Sequence, residues 1–213
     1  MNRDKKYVRQ ACEKLHAKDS GYRSASNIDL LIFIAGLLVT LLAVRAFIFE
    51  PVRVDGESML NTLQDGERCI VEKVSYWVTS PKSGDIVIVH YPGRGNESFV
   101  KRVIATGGQT IELKKEGNTK GQAEYYVVVD GERLDDSAYR DTMLFDGVFY
   151  SPWLIDGSAG PYTVPEGYVF VMGDHRTNSH DSRASSVGPI PLSDVVGRVH
   201  GVLYPINRIR KVD

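Results

Sequence analysis

The chain has 213 residues, of which 42% are hydrophobic and 25% are charged, as is ordinary for a globular protein of one large or two small domains. Its formal net charge at pH 7 is -1, which gives no reason to expect nucleic acid as a partner. The two cysteines, Cys12 and Cys69, flank an apolar segment, and we expect no disulfide between them because a membrane-spanning segment would place them on opposite sides.

The first predicted element is an apolar segment near the N-terminus. Residues 30–44 are apolar apart from Thr40, and the apolar stretch continues past Arg45 to Phe49. Counted to Phe49, it reaches the roughly 20 residues that cross a bilayer, and Arg45 can snorkel to the interface. A cleavable signal peptide and a buried soluble helix are the alternatives. The long polar lead-in, and the lack of a small-x-small pattern after the core, favour an uncleaved transmembrane anchor at residues 28–49.

Basic residues outnumber acidic ones before the anchor. Residues 1–27 carry Arg3, Lys5, Lys6, Arg9, Lys14, Lys18 and Arg23 against Asp4, Glu13 and Asp19. The positive-inside rule therefore predicts a cytoplasmic tail, which we expect to be solvated and largely disordered. Residues 50–213 are then exported, so the sequence predicts a single-pass protein of the cell membrane, with the lipid bilayer as a partner and its main domain on the outer face.

The exported region is predicted to be mainly β. Runs rich in β-branched and aromatic residues occur at 52–54, 68–74, 85–90, 99–105, 125–129, 168–172 and 195–204. Asp130-Gly131 follows one of these runs and predicts a hairpin turn. The stretch from about 114 to 165 is more polar and Gly-rich, and we expect it to be an insertion that forms a smaller β subdomain. The fold class is therefore mainly β, with an N-terminal transmembrane helix before the β-rich domain.

A serine and a lysine in this region have the chemistry of a hydrolase site. Ser58 follows Gly56, which permits a close approach of backbone to ligand, and the Ser58 N–H could hold an oxyanion. Lys101 lies in a predicted strand with Phe99 and Val103 on the same face, and burial there would keep its amine neutral. A neutral lysine can activate a serine without histidine. The alternatives are a serine that starts a turn or caps a helix, and a lysine on a solvated strand face.

The polar loop (residues 173–183) follows the predicted strand at 168–172. Its density of polar residues after a buried strand indicates a hydrogen-bonded loop beside a site, or alternatively a solvated loop with Asx turns. His175 and His180 match no zinc-binding spacing, and no third ligand is obvious. We therefore predict no metal site.

These segments, in this order, resemble bacterial type I signal peptidases. Four motifs carry the resemblance: Val54 to Leu63, Gly84 to Val89, Val100 to Ala105, and Gly173 to Arg183. The motifs cover the frame of the exported domain, but not the insertion or the tail. The resemblance implies a serine endopeptidase whose exported β-rich domain is catalytic, which removes signal peptides from exported preproteins, and which needs no metal or organic cofactor.

The resemblance also implies roles for particular residues. Ser58 would be the nucleophile and Lys101 the general base, while the hydroxyl of Ser179 orients the lysine amine. Asp181 and Arg183 would brace the site as an ion pair. Supporting positions are Asp174, Arg176, Gly56 and Met59.

The chain departs from the family pattern at four places. Asn61 stands where the family usually has proline, which predicts a looser turn after Ser58. The predicted strand at 99–105 carries Lys101 and is called the lysine strand. After it, the family usually has a turn that contains proline, whereas this chain has Thr-Gly-Gly at residues 106–108. Gly56 takes the place of a serine hydroxyl found in some members, which leaves backbone donors for the oxyanion. His175 replaces a common asparagine, with no expected catalytic effect.

Three other functions remain open from the sequence. One is a catalytically idle relative that acts as a membrane-anchored assembly or binding factor for surface proteins. Another is a self-cleaving repressor-type serine–lysine protease, although that would need a DNA-binding domain. The third is an outer-face binding module in which Ser58 and Lys101 are coincidental.

Overall fold

The structure, a computed structural model, describes residues 3–95, 97–119, 122–139, 143–145 and 161–212. It divides into two compact units, residues 1–47 and residues 48–213. Helix α1 spans Arg3–Phe47, and its segment Asn27–Arg45 is long and apolar enough to cross a membrane, with a mean hydropathy of 2.4. Cys12 and Cys69 are both free thiols.

The expectation that the basic tail is largely disordered is wrong, because α1 already begins at Arg3. Lysine, arginine, glutamate and alanine are good helix formers, and the apolar segment supplies turns from which the helix extends without new nucleation. The predicted limits of the tail at residue 27 and of the anchor at residue 49 stay predictions.

The second unit is built from short strands. In chain order they are β1 (Phe49–Arg53), β2 (Arg68–Glu72), β3 (Ile86–His90), β4 (Ser98–Thr106), β5 (Thr110–Thr119), β6 (Gln122–Val129), β7 (Glu132–Arg133), β8 (Met143–Phe145), β9 (Tyr162–Thr163), β10 (Tyr168–Met172), β11 (Ile190–Pro191), β12 (Val195–Tyr204) and β13 (Arg210–Lys211). A four-residue helix, α2 (Ser75–Val78), follows β2. The prediction of a mainly β domain after one apolar N-terminal helix is confirmed.

The strands form two antiparallel sheets within the described residues. The larger has eight strands in the order β1-β2-β12-β3-β4-β10-β11, with β13 also paired to β12. The smaller has the order β7-β6-β5-β9, with β8 also paired to β6. The predicted hairpin is confirmed: Asp130 and Gly131 have φ values of 52° and 85°, and Val129 pairs with Glu132. Positive φ at both central residues is typical of the tight turn that suits twisted strands.

The smaller sheet corresponds to the predicted insertion but starts earlier, with β5 at Thr110. Strand β5 was not predicted, because its sequence is polar and lacks a clear alternation of apolar residues. Residues 120–121, 140–142 and 146–160, which belong to the predicted insertion, lie outside the described residues. The insertion boundaries of 114 and 165 remain predictions.

Strand β4 carries Lys101 and Arg102, and it pairs with β3 on one side and with β10 on the other. Lys101 lies opposite Val87, and cross-strand partners share one face of a sheet. That face carries a fully buried valine cluster that includes Val87, Val103 and Val171. The neighbouring Arg102 pairs with Met172 at the end of β10, so the polar loop that follows Met172 begins beside Arg102.

Candidate active site

The Ser58 turn (residues 56–63) follows β1. Leu60 N donates to the carbonyl of Glu57 at 3.0 Å, and Leu63 N donates to the carbonyl of Met59 at 2.7 Å. The Met59 side chain is buried in the core, so it fixes the turn from below while Ser58 stays half-buried at the surface. Gly56 has a φ of 94°, a backbone conformation that favours glycine. These local contacts explain why Gly56 and Met59 flank the serine.

Lys101 meets Ser58 across the domain. Its Nζ lies 2.7 Å from Ser58 Oγ, and the lysine is 2% exposed. Burial lowers the pKa of Lys101 to about 8, although the carboxylates of Asp181 and Asp174 act in the opposite direction. A neutral amine is therefore populated near neutral pH, and it sits within hydrogen-bonding distance of the hydroxyl that it would deprotonate.

The polar loop is braced by the predicted pair of Asp181 and Arg183. Arg183 donates from Nε and Nη2 to the two carboxylate oxygens, each at 2.8 Å, and Gly173 N donates to the same carboxylate at 3.0 Å. Burial alone would raise the pKa of Asp181, but the charge and hydrogen bonds of Arg183 bring that pKa below its usual value. Asp181 is therefore a fixed negative charge close to Lys101.

Ser179 lies in the same loop and is buried. Within the described residues, the hydroxyl oxygen of Ser179 makes no hydrogen bond. The predicted contact between this hydroxyl and the amine of Lys101 thus stays a prediction.

Asp174 is paired with a residue that the sequence analysis did not assign. Arg102 donates to its carboxylate from Nε and Nη2, each at 2.9 Å, and Arg102 Nη1 donates to the carbonyl of Gly84 at 2.8 Å. The hydroxyl of Thr62 also donates to Asp174. The side chains of Arg102 and Asp174 are 2% and 0% exposed. This buried network joins the Ser58 turn, the lysine strand and the polar loop.

Arg176 reaches a second unassigned partner. Its Nη1 lies 2.8 Å from Asp136 Oδ2, and both side chains are buried. Asp136 belongs to the loop after β7, and Tyr139 in that loop places its ring 3.8 Å from the guanidinium carbon of Arg102. One signal in the sequence points to these partners: Arg102 and Arg176 lie in the motifs of the predicted site, and a buried arginine needs a countercharge.

The polar loop also touches the Ser58 turn directly. His175 N donates to the carbonyl oxygen of Ser58 at 3.1 Å. A Cβ added to Gly173 would lie 2.4 Å from the same carbonyl oxygen and 2.3 Å from Ser179 Oγ. Only glycine fits at position 173, because no real side chain tolerates such distances.

A narrow cleft opens over the two reactive groups. Its lining includes Val52, Met59, Phe99, Ser58 and Lys101. In the part of the chain that the structure describes, the backbone N–H of Ser58 donates to no acceptor, so it is free to bind an incoming oxygen. The cleft therefore brings together a hydroxyl, an amine of lowered pKa and an unpaired backbone N–H, which are the groups that acyl transfer to a serine requires.

The wall of this cleft is supported from behind. The ring of Phe99 stacks on that of Tyr91 with 4.0 Å between centroids. The Tyr91 hydroxyl donates to the carbonyl of His180 at 2.7 Å, which ties the wall to the polar loop. The described residues contain no group of three or more histidine, cysteine, aspartate or glutamate side chains arranged to hold a metal ion.

Comparison with known proteins gives the family of the chain. The family model described as "Signal peptidase, peptidase S26" matches residues 27–204. The signal peptidase I of Bacillus licheniformis is 38% identical over 179 residues, which are 83% of this chain and 88% of that protein. The signal peptidase I P of Bacillus subtilis subsp. natto is 35% identical over 193 residues, which are 90% of this chain and 97% of that protein.

The chain also matches the crystal structure of a signal peptidase I from Enterococcus faecalis. The match covers 57% of this chain and 97% of the Enterococcus chain, with 27% sequence identity and a TM-score of 0.39. The family assignment therefore rests on the sequence matches, which extend from the apolar helix to the end of β12. They confirm the resemblance given by the four motifs: the chain belongs to the signal peptidase family, peptidase S26.

Proposed function

We propose that the protein is a membrane-bound serine endopeptidase that removes signal peptides from exported preproteins, with Ser58 as the nucleophile and Lys101 as the general base. The family supplies the class of reaction. The observation that carries the residue assignment is the 2.7 Å separation of Lys101 Nζ and Ser58 Oγ in a site where burial lowers the lysine pKa to about 8.

The proposed cycle needs no group beyond these two residues, the backbone and water. Neutral Lys101 takes the proton of the Ser58 hydroxyl as Oγ attacks the scissile carbonyl carbon. The Ser58 N–H holds the oxyanion of the tetrahedral intermediate. The lysine then gives its proton to the leaving amine, and an acyl-enzyme remains on Ser58 Oγ. Water, deprotonated by Lys101, attacks this ester and releases the acyl product in the reverse sequence.

The substrates are proposed from the family resemblance and the shape of the cleft. Family substrates carry small residues at the third and first positions before the cut. A strand-like peptide presents alternate residues to the same side, and a narrow cleft lined by Val52, Met59 and Phe99 suits small ones.

The proposed location is the outer face of the cell membrane, with the N-terminus in the cytoplasm. The apolar segment of α1 supplies the anchor and the basic residues before it supply the orientation. Ser58 follows Phe49 by nine residues, which reach at most roughly 30 Å when extended, so the serine stays close to the bilayer.

The test is cleavage of a synthetic signal peptide by the full-length chain in detergent. The wild type is expected to cut after a small residue, and Ser58→Ala and Lys101→Ala are expected to be inactive. Lys101→Arg should fail as well, because a guanidinium stays charged. An inactive wild type would favour the idle relative that binds surface proteins, and an active Lys101→Ala would rule out Lys101 as the base.

A further inference from the structure

His175 holds both carbonyl groups that surround the nucleophile. Its backbone N–H donates to the carbonyl oxygen of Ser58, and its ring Nδ1 lies 3.1 Å from the carbonyl oxygen of Glu57. A carbonyl oxygen only accepts hydrogen bonds, so Nδ1 is the ring nitrogen that carries the proton in this contact. The polar loop thus reaches the Ser58 turn through a side chain as well as through its backbone.

The contact with Glu57 bears directly on the oxyanion donor. The Glu57 carbonyl and the Ser58 N–H belong to one peptide unit, which is planar and trans, so they point in opposite directions. A hydrogen bond that fixes the carbonyl on one side therefore fixes the direction of the N–H on the other side. That N–H is the donor that the proposed cycle assigns to the tetrahedral intermediate.

Two features of this chain make such a brace important. Gly56 carries no hydroxyl, so the backbone must supply the donors near Ser58. Asn61 takes the place of proline, and the N–H of Asn61 makes no hydrogen bond in the described part of the chain. The turn therefore has neither a side-chain donor at position 56 nor the stiffness of a proline ring at position 61.

We propose that the imidazole of His175 is a positioning residue that orients the Glu57–Ser58 peptide so that the Ser58 N–H points at the developing oxyanion. The inference rests on the proposed function. It predicts an effect on the transition state and little effect on the binding of uncleaved peptide, because the oxyanion exists only after attack.

The test compares two variants of nearly equal shape in the full-length enzyme. His175→Leu removes the donor, while His175→Asn keeps an N–H at a similar distance from the backbone. We expect His175→Leu to lower kcat about fivefold to tenfold, the range of one hydrogen bond, with KM unchanged within about twofold. His175→Asn should keep most of the wild-type kcat.

A second measurement separates this role from a loss of folding. A peptide aldehyde forms a tetrahedral adduct on a serine nucleophile and so needs the oxyanion donor, whereas an uncleavable peptide does not. His175→Leu is expected to weaken the aldehyde by the same factor as kcat and to leave binding of the uncleavable peptide unchanged. His90→Leu is the matched control, because His90 Nδ1 also meets a backbone carbonyl, that of Glu97, at 3.2 Å.

The outcomes are distinguishable. If the wild type cleaves the signal peptide and His175→Leu matches its kcat and its aldehyde affinity, the His175 inference is wrong and the proposed function stands. A loss in His175→Leu that His175→Asn shares in full would also overturn it. If the wild type cleaves nothing, the proposed function and this inference fall together.

Discussion

Arg102 donates two parallel hydrogen bonds, each 2.9 Å long, to the carboxylate of Asp174, which lies 72 residues later in the sequence. Both side chains are almost completely buried. A buried ion pair of this kind contributes little net stability, but the removal of one partner leaves a charge without compensation. Substitution at this pair therefore tests whether the lysine strand and the polar loop are in contact.

Replacement of Asp174 by asparagine is expected to destabilise the β-rich domain. Asp174→Asn leaves the guanidinium of Arg102 buried without its countercharge, and the expected loss is about 3–5 kcal/mol in the free energy of unfolding. Denaturant titration of the full chain measures it. Glu50→Gln is the control. Glu50 pairs with Lys73, both side chains are partly exposed, and such pairs contribute less than about 1 kcal/mol to the free energy of unfolding. Equal losses in the two variants would contradict the structure.

Gly173→Ala is expected to lower the rate of peptide cleavage strongly. The new methyl group would press on the Ser58 carbonyl and on Ser179 Oγ, so the Ser58 turn must move. A displacement of about 1 Å at a catalytic group costs on the order of 100-fold in rate. Peptide cleavage measures this rate. Gly36→Ala, in a helix position with open space around it, should leave the rate unchanged. A Gly173→Ala enzyme with the wild-type rate would show that the backbone at Gly173 lies farther from the Ser58 carbonyl than the structure places it.

The loop after β7 is expected to be needed for a stable polar loop. Asp136→Asn removes the countercharge of Arg176 and should cost about 3 kcal/mol in the free energy of unfolding. The double variant Asp136→Leu with Arg176→Met should recover most of that loss, because an apolar pair needs no charge compensation. The test is chemical denaturation of Asp136→Leu, of Arg176→Met and of the double variant, which gives the free energy of unfolding of each. Additive losses would mean that the two residues do not interact.

Lys101→Met is expected to be more stable than the wild type at neutral pH. The folded pKa of Lys101, about 8, lies below its ordinary value of 10.5, so the folded state disfavours the proton that the unfolded state binds. The stability of the wild type should therefore rise with pH between about 8 and 10.5, relative to Lys101→Met, by up to about 3 kcal/mol. Thermal unfolding across this range measures the difference. A constant difference would mean that the lysine is not perturbed.

Local patterns were enough to predict most of the fold. The β-branched runs of β3, β4 and β10 are bounded by turn residues, and their burial follows from composition alone. The hairpin at Asp130-Gly131 follows from backbone preference at two positions. Strand β5 was missed because it owes its conformation to pairing with β6, a long-range effect that a polar sequence does not reveal.

In the site, too, local sequence predicted some residues, while others depend on long-range contacts. Ser58 and Lys101 are each ambiguous alone, and the family motifs singled them out. Arg102, the partner of Asp174, and Asp136, the partner of Arg176, were not assigned to the site, because the sequence does not show which buried arginine meets which carboxylate. The contact of the His175 ring with Glu57 could not be foreseen either, since it depends on how the polar loop crosses the turn.

The pH dependence of kcat/KM for a synthetic signal peptide tests the central claim most directly, because it reports the ionisation of the essential base in the free enzyme. A lysine held neutral by burial predicts a rate that rises with pH and levels off above an apparent pKa of about 8. A rate that stays flat from about pH 6 to about pH 10, in an enzyme that Ser58→Ala inactivates, would contradict Lys101 as the titrating base.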